Sequence, residues 1–185
     1  MGKIRFPLPA KLITGIIFSE DKFFVKTKDK LTNEYGEVDF ESHKIPFTYT
    51  DYYQEEMGEV LWRKFLSFKS LIAPEKIVGI KLFTNKLEEK FVFPGTSKRK
   101  VNIDPGYLTL ARLVLATTKD FSHRIYLGEG IYGEVTLRYS KDKGFQSQEW
   151  TYSDYRSAEY LQILNFIRSI YQKQIGELKN QGRRL

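Results

Sequence analysis

The chain has 185 residues, 41% hydrophobic and 15% aromatic, with 30 basic and 23 acidic side chains and a net charge of +7. That length fits one domain with a full core, and that apolar content excludes a disordered chain. The absence of cysteine excludes a disulfide framework and any thiolate metal or redox centre, and suits a reducing cytoplasm.

The opening MGKIRFPLPAKLITGIIFSED holds a short apolar run, broken by Pro7 and Pro9 and then by charge. The run is too short to span a bilayer and lacks a small-residue cleavage site, so a soluble protein with no membrane partner is expected. Abundant Lys, Glu, Ile and Tyr are compatible with a thermophilic source. Lys11 to Ser19 is β-branched and apolar, and predicts a buried strand. Glu20 to Tyr35 has helical spacing, with Phe23, Phe24, Thr27 and Leu31 on one side and Gly36 as a C-terminal cap. Val38 to Tyr49 reads as a strand punctuated by Pro46, and Thr50 to Gly58 as a loop or short turn. Val60 to Ile72 has apolar residues on both alternating faces, the pattern of a strand covered on both sides. Pro74 suits a helix start, and Ile77, Ile80, Thr84, Leu87 and Phe91 carry a helix over Glu75 to Phe91.

Phe93 to Lys100, with Pro94, Gly95 and the run SKRK, predicts a loop, and Arg99 to Ile103 a short strand. Asp104-Pro105 matches an N-cap followed by proline at the first helical position. Leu108 to Thr117 then fits either a buried helix or a strand. Arg124 to Leu127 and Gly133 to Tyr139 form a hairpin around a glycine-rich turn, and Ser157 to Ile175 a long amphipathic helix. The order predicts an α+β fold: an antiparallel or mixed sheet with helices mainly on one face. Its core would be a split βαβ (ferredoxin-like) unit extended by the C-terminal hairpin and helix. Residues 1–176 form the expected domain and 177–185 a basic tail.

The motif Gly128-Glu-Gly130-Ile-Tyr-Gly133-Glu-Val135 spells GxGxxGxV, but the chain has no HRD or DFG partner, so the kinase reading fails. A dinucleotide loop must open a helix, and EVTLRY is strand-like. The glycines therefore serve a tight turn or close packing. No GxxxxGK[ST] is present, so no standard P-loop exists.

Between Arg99 and Tyr139, charged groups are embedded among apolar residues, where an unpaired charge is costly. Thr117, Thr118, Lys119, Ser122, His123 and Arg124 form a dense donor set suited to phosphate or carboxylate. Asp104, Glu129, Glu134 and Asp154 supply carboxylates for a cation or for acid-base work. Lys81, Asn85 and Glu88 share one helix face and could line a cleft, though a solvent-facing stripe is the commoner explanation. Trp150, Tyr152 and Tyr155 fit either base stacking or core packing.

The blocks NIDPGYL, LATTKDFSHRIYL, GIYGEVTLRY and EWTYSDYR, with DYYQEEMG (51–58) and IKLFTNKLEEKF (80–91), resemble the bacterial domain-of-unknown-function family numbered 4416 over nearly the whole chain. The resemblance implies a single soluble bacterial domain and transfers no catalytic residue. The GTP-binding label that some members carry finds no P-loop here.

Residue chemistry alone predicts binding of an anionic small molecule, a nucleotide or phosphoester, and action on it. His123, Glu129 and Glu134 are the catalytic candidates, with His123 moving a proton and a glutamate orienting it. Thr117, Thr118, Lys119, Arg124 and Asp104 are the ligand-binding candidates. No motif names a cofactor or a dedicated metal site. The alternatives are an RNA-binding module, favoured by the positive charge and the SKRK loop but lacking an RNP motif, and a structural homodimer.

Overall fold

The computed structural model describes residues 2–180. Strand β1 (Ala10–Phe18) leads into helix α1 (Asp21–Tyr35) and the short strands β2 (Val38–Glu41) and β3 (Ile45–Pro46). A four-residue helix α2 (Gln54–Met57) precedes β4 (Trp62–Ile72), and α3 (Ile77–Lys90) links β4 to β5 (Val101–Leu108). Then come β6 (Arg112–Thr117), β7 (Arg124–Gly128), β8 (Ile131–Ser140), β9 (Gly144–Ser147) and the long helix α4 (Ala158–Asn180). The nine strands form one sheet in the order β2-β4-β1-β5-β6-β8-β7, with β3 beside β4 and β9 beside β8. Every pairing is antiparallel.

β1 is the central strand and is buried throughout. Its alternate residues feed two cores, because successive side chains of a strand point to opposite faces. Leu12, Ile16 and Phe18 pack with Phe23, Phe24 and Leu31 of α1 and with Ile77, Ile80 and Leu87 of α3. Ile13, on the other face, packs with Tyr160, Leu164, Ile167 and Tyr171 of α4. Ile17 meets Met57 of α2. The expectation of helices mainly on one face is thus corrected: α1 and α3 cover one face, α4 and α2 the other. With β1 covered on both sides, the central sheet offers no open platform for stacking bases.

Several local expectations also change. Val38 to Tyr49 forms two short strands rather than one. The segment 50–58 contains α2. Asp104 and Pro105 lie inside β5 and start no helix. Leu108 to Thr117 ends β5, turns through the Thr109 N–H bond to the Arg112 carbonyl, and returns as β6. α4 continues to Asn180, through the first residues of the expected tail; residues 181–185 lie outside the described residues.

One irregularity shapes everything that follows. β5 and β6 pair only at Gly106↔Leu115, Tyr107↔Val114 and Leu108↔Leu113. Before Gly106 the strands diverge, β5 staying with β1 and β6 with β8. Ile103 shows how the freed edge of β5 is satisfied. Its N–H donates to Glu88 Oε1 at 2.7 Å, and its carbonyl accepts from Lys81 Nζ at 3.0 Å. Both partners come from α3. In an antiparallel ladder a residue's N–H and C=O face the same neighbour, so Pro105, two residues on, faces the same open side. Proline has no N–H to donate, and the ladder to β6 resumes only beyond it.

At the mouth of this fork Gly106 is tight. A Cβ there would sit 2.5 Å from the Val114 carbonyl oxygen and 2.7 Å from Leu115 Cδ2. Gly106→Ala is expected to lower unfolding stability by about 1–3 kcal/mol. Gly176→Ala, in α4 with open space around it, is expected to raise it by about 0.5–1 kcal/mol. Urea denaturation of both variants checks this. An unperturbed Gly106→Ala protein would contradict the strand register at the fork.

Candidate functional site

The fork between β5 and β6 opens as a cleft of about 560 Å³, within the size range of small-molecule sites. One wall is α3 and β5: Lys81, Asn85, Glu88, Arg99, Asn102 and Asp104. The other is β6 and the segment after it, Leu115 to Lys119, with Arg124 and Glu134 from β7 and β8. Tyr49, Tyr52 and Tyr53 close one side and Tyr152 to Tyr155 another. Five cationic and four carboxylate side chains line the cleft.

Its floor is built on Arg63. This residue, the second of β4, is 2% exposed. It donates through Nη1 to Asp104 at 2.9 Å and through Nη2 to Asp154 at 3.1 Å. Phe47, Phe65 and Tyr155 surround the guanidinium with ring centroids 5.2–5.8 Å away, a cation-π environment that offsets part of its desolvation. Space for it exists because position 15 on β1 is glycine: a Cβ there would lie 2.5 Å from Nη1. Arg63 Nε and the hydroxyl of Tyr155 are buried and have no hydrogen-bond partner among the described residues.

A relay joins the floor to α3. Asn102 donates to Asp104 at 3.0 Å and accepts from Arg99 at 3.2 Å. Arg99 grips Glu56 in a bidentate pair, 2.6 and 2.8 Å, and also pairs with Glu88. The Arg99 hydrogen bonds hold the Glu56 carboxyl below its ordinary value. Burial pushes the Glu88 carboxyl up, against the charges of Lys81 and Arg99. Burial raises Asp154 as well; the Arg63 charge opposes the shift and the Asp104 charge adds to it. Lys81 is 8% exposed and has no carboxylate within ion-pair distance among the described residues.

The outer rim carries most of the residues expected from the sequence. Glu134 Oε2 accepts from His123 Nε2 at 3.0 Å and from Arg124 Nε at 2.9 Å. Arg124 also donates to the Lys119 carbonyl at 3.0 Å and the Tyr152 hydroxyl at 3.0 Å. Lys119 Nζ reaches the Tyr52 hydroxyl at 3.2 Å and has no carboxylate partner among the described residues. Thr117, Thr118, Lys119, Arg124, Asp104 and Glu134 therefore meet in one concavity.

Two candidates stand elsewhere. His123 backs Glu134 from outside the lining, stacked on Trp150 with ring centroids 5.3 Å apart. Glu129 is exposed at the tip of the β7–β8 hairpin with φ 52°, between Gly128 and Gly130, also at positive φ. A turn that needs three left-handed residues explains the glycines, and Glu134, not Glu129, holds the imidazole. The three aromatics divide: Trp150 stacks on His123, Tyr152 stands at the rim, and Tyr155 is in the core. Among the described residues no three His, Asp or Glu side chains cluster as metal ligands, and no helix is long and apolar enough to cross a membrane.

Arg63, Lys81, Glu88, Arg99 and Asn102 were not predicted as site residues. Arg63 carried a usable signal, a charge on a strand reading as covered on both faces, though Lys64 and Lys69 of the same strand carried it too. Lys81 and Glu88 carried a weaker one, a shared helix face that could line a cleft but more commonly marks a solvent-facing stripe.

The family model for the domain of unknown function DUF4416 matches residues 8–171, and the chain belongs to that family. No curated protein and no solved structure shows a significant match.

The raised Asp154 carboxyl gives a pH signature. The folded chain binds the proton more tightly than the unfolded chain, whose value is near 3.8. This group's contribution to stability is thus present below that pH and lost as pH rises through the folded value. In Asp154→Asn the loss disappears. The stability of the variant relative to the parent is expected to improve with rising pH over that window, by up to about 1.4 kcal/mol per pH unit. Denaturation midpoints across the acid range measure it. A difference that stays flat or falls would refute the assignment.

Proposed function

We propose that this DUF4416 protein binds an anionic small molecule of the nucleotide or phosphoester class in the cleft between β5 and β6. One observation carries the reading. Two ammonium groups, Lys81 and Lys119, line the same cleft, and neither has a carboxylate partner among the described residues. Lys81 is nearly buried, is bonded only to the Ile103 carbonyl, and faces a Glu88 carboxyl that Arg99 and the Ile103 amide already engage; an anion placed beside it adds a partner of its own. The hydroxyls of Thr117 and Thr118 add donors, and the rings of Tyr52 and Tyr152 at the rim offer stacking surface. Arg124 is oriented by Glu134, and Glu134 in turn by His123, which acts as a positioning residue. The strand order β2-β4-β1-β5, with α1 and α3 each joining strands separated by a third, supports reading the first hundred residues as a split βαβ (ferredoxin-like) core.

The test is thermal stabilisation by inorganic phosphate and a panel of nucleotides and phosphoesters. A compound at a hundred times its Kd is expected to stabilise the parent by about 2.7 kcal/mol. Lys119→Ala and Lys81→Met are each expected to lose most of that shift. A panel without any stabilising phosphate compound, or variants stabilised as strongly as the parent, would overturn the reading.

A further inference from the structure

The anion reading accounts for the lysines but leaves the floor unexplained. There one guanidinium, Arg63, faces two carboxylates, Asp104 and Asp154. The nearest further cation in that network, Arg99, reaches Asp104 only through the amide of Asn102 and is itself shared by Glu56 and Glu88. The floor is therefore one positive charge short where desolvation is severe. The rim shows the opposite imbalance, with the ammonium of Lys119 lacking a carboxylate partner among the described residues. Asp104 is the accessible member of the floor, its side chain 27% exposed to the cleft. Each of its oxygens accepts one bond, from Arg63 and from Asn102, so both keep acceptor capacity.

A second observation is independent of charge. Tyr155 lines the cleft, is 2% exposed, and its hydroxyl has no partner among the described residues. A buried hydroxyl without a partner costs free energy, and an incoming donor would remove that cost.

Resting on the anion reading, we propose that the ligand is dipolar. Its anionic group sits with Lys119 and Lys81, and a cationic amine or amidine at its other end donates to the Asp104 carboxylate and the Tyr155 hydroxyl. The cation restores charge balance at the floor, where Arg63 alone faces Asp104 and Asp154. A neutral hydroxyl at the same place would make the hydrogen bonds but leave the charge uncompensated.

Calorimetric titration with three matched series tests this: ω-aminoalkyl, ω-hydroxyalkyl and plain alkyl phosphates of increasing chain length, with inorganic phosphate as reference. At one chain length the amine is expected to bind at least about tenfold more tightly than both analogues, as befits a charge-assisted hydrogen bond. Asp104→Asn abolishes that gain. Tyr155→Phe, which removes an unpartnered hydroxyl and so melts no lower than the parent, reduces it several-fold. Tyr155→Phe keeps the parent's affinity for inorganic phosphate, and Asp104→Asn, which takes a negative charge out of the cleft, binds inorganic phosphate no more weakly than the parent. If the hydroxyl series gains as much as the amine, the charge requirement is wrong. If all three series bind alike, or the gain survives in both variants, the dipolar ligand is wrong and the anion site stands. If neither inorganic phosphate nor any alkyl phosphate binds, both readings fall.

Discussion

Arg63 is the constraint on which the cleft depends. It ties β4 to β5 through Asp104 and to the short turn of helix before α4 through Asp154, three parts of the chain far apart in sequence. Its neighbours are arranged around its bulk: glycine at position 15, three aromatic rings, and two carboxylates that are expensive to bury without it. Ion pairs of this kind contribute little net stability over an apolar replacement, because desolvation cancels most of the attraction. Apolar side chains of similar volume would hold the sheet together as well. The arginine is better understood as the means by which a polar floor is kept inside an apolar domain.

The second constraint is the parting of β5 from β6. A proline within a central strand would ordinarily argue against the strand. Here it marks the residue where one ladder stops while the other, to β1, continues unbroken. The gap would leave the Ile103 amide and carbonyl stranded, and buried main-chain groups are almost always paired. α3 closes that gap with one carboxylate and one ammonium. Sheet, helix and cleft are thus a single solution to one local interruption.

The elements with strong periodicity were legible in the sequence: β1, α1, β4, α3, the β7–β8 hairpin and α4 fall where pattern and caps place them. Asp104-Pro105 misled because its local chemistry is that of a helix start, and only the non-local pairing with β1 makes it a strand. The placement of α4 opposite α1 and α3 was hidden for a related reason. A strand buried on both faces says that both are covered, not by what. At the site, the segment from Thr117 to Arg124 was readable because its donors are crowded in sequence. The floor was not, since Arg63, Asp104 and Asp154 converge only through tertiary structure. A charge among apolar residues needs a partner wherever it stands, and Arg63 on β4 meets that condition as fully as the charges between Arg99 and Tyr139.

The clasp of α3 on Ile103 has a mechanical corollary. A helix resting on a sheet through apolar contacts alone is held by the fit of its side chains, and it can shift wherever those side chains repack. α3 lacks that freedom. Shifting it by even part of a turn would pull Lys81 and Glu88 off the carbonyl and amide they hold, exposing two main-chain groups to an apolar interior at once. The helix is indexed to the sheet like a toothed rack, and the spacing of the cleft's walls is set by two hydrogen bonds as well as by the fit of the core.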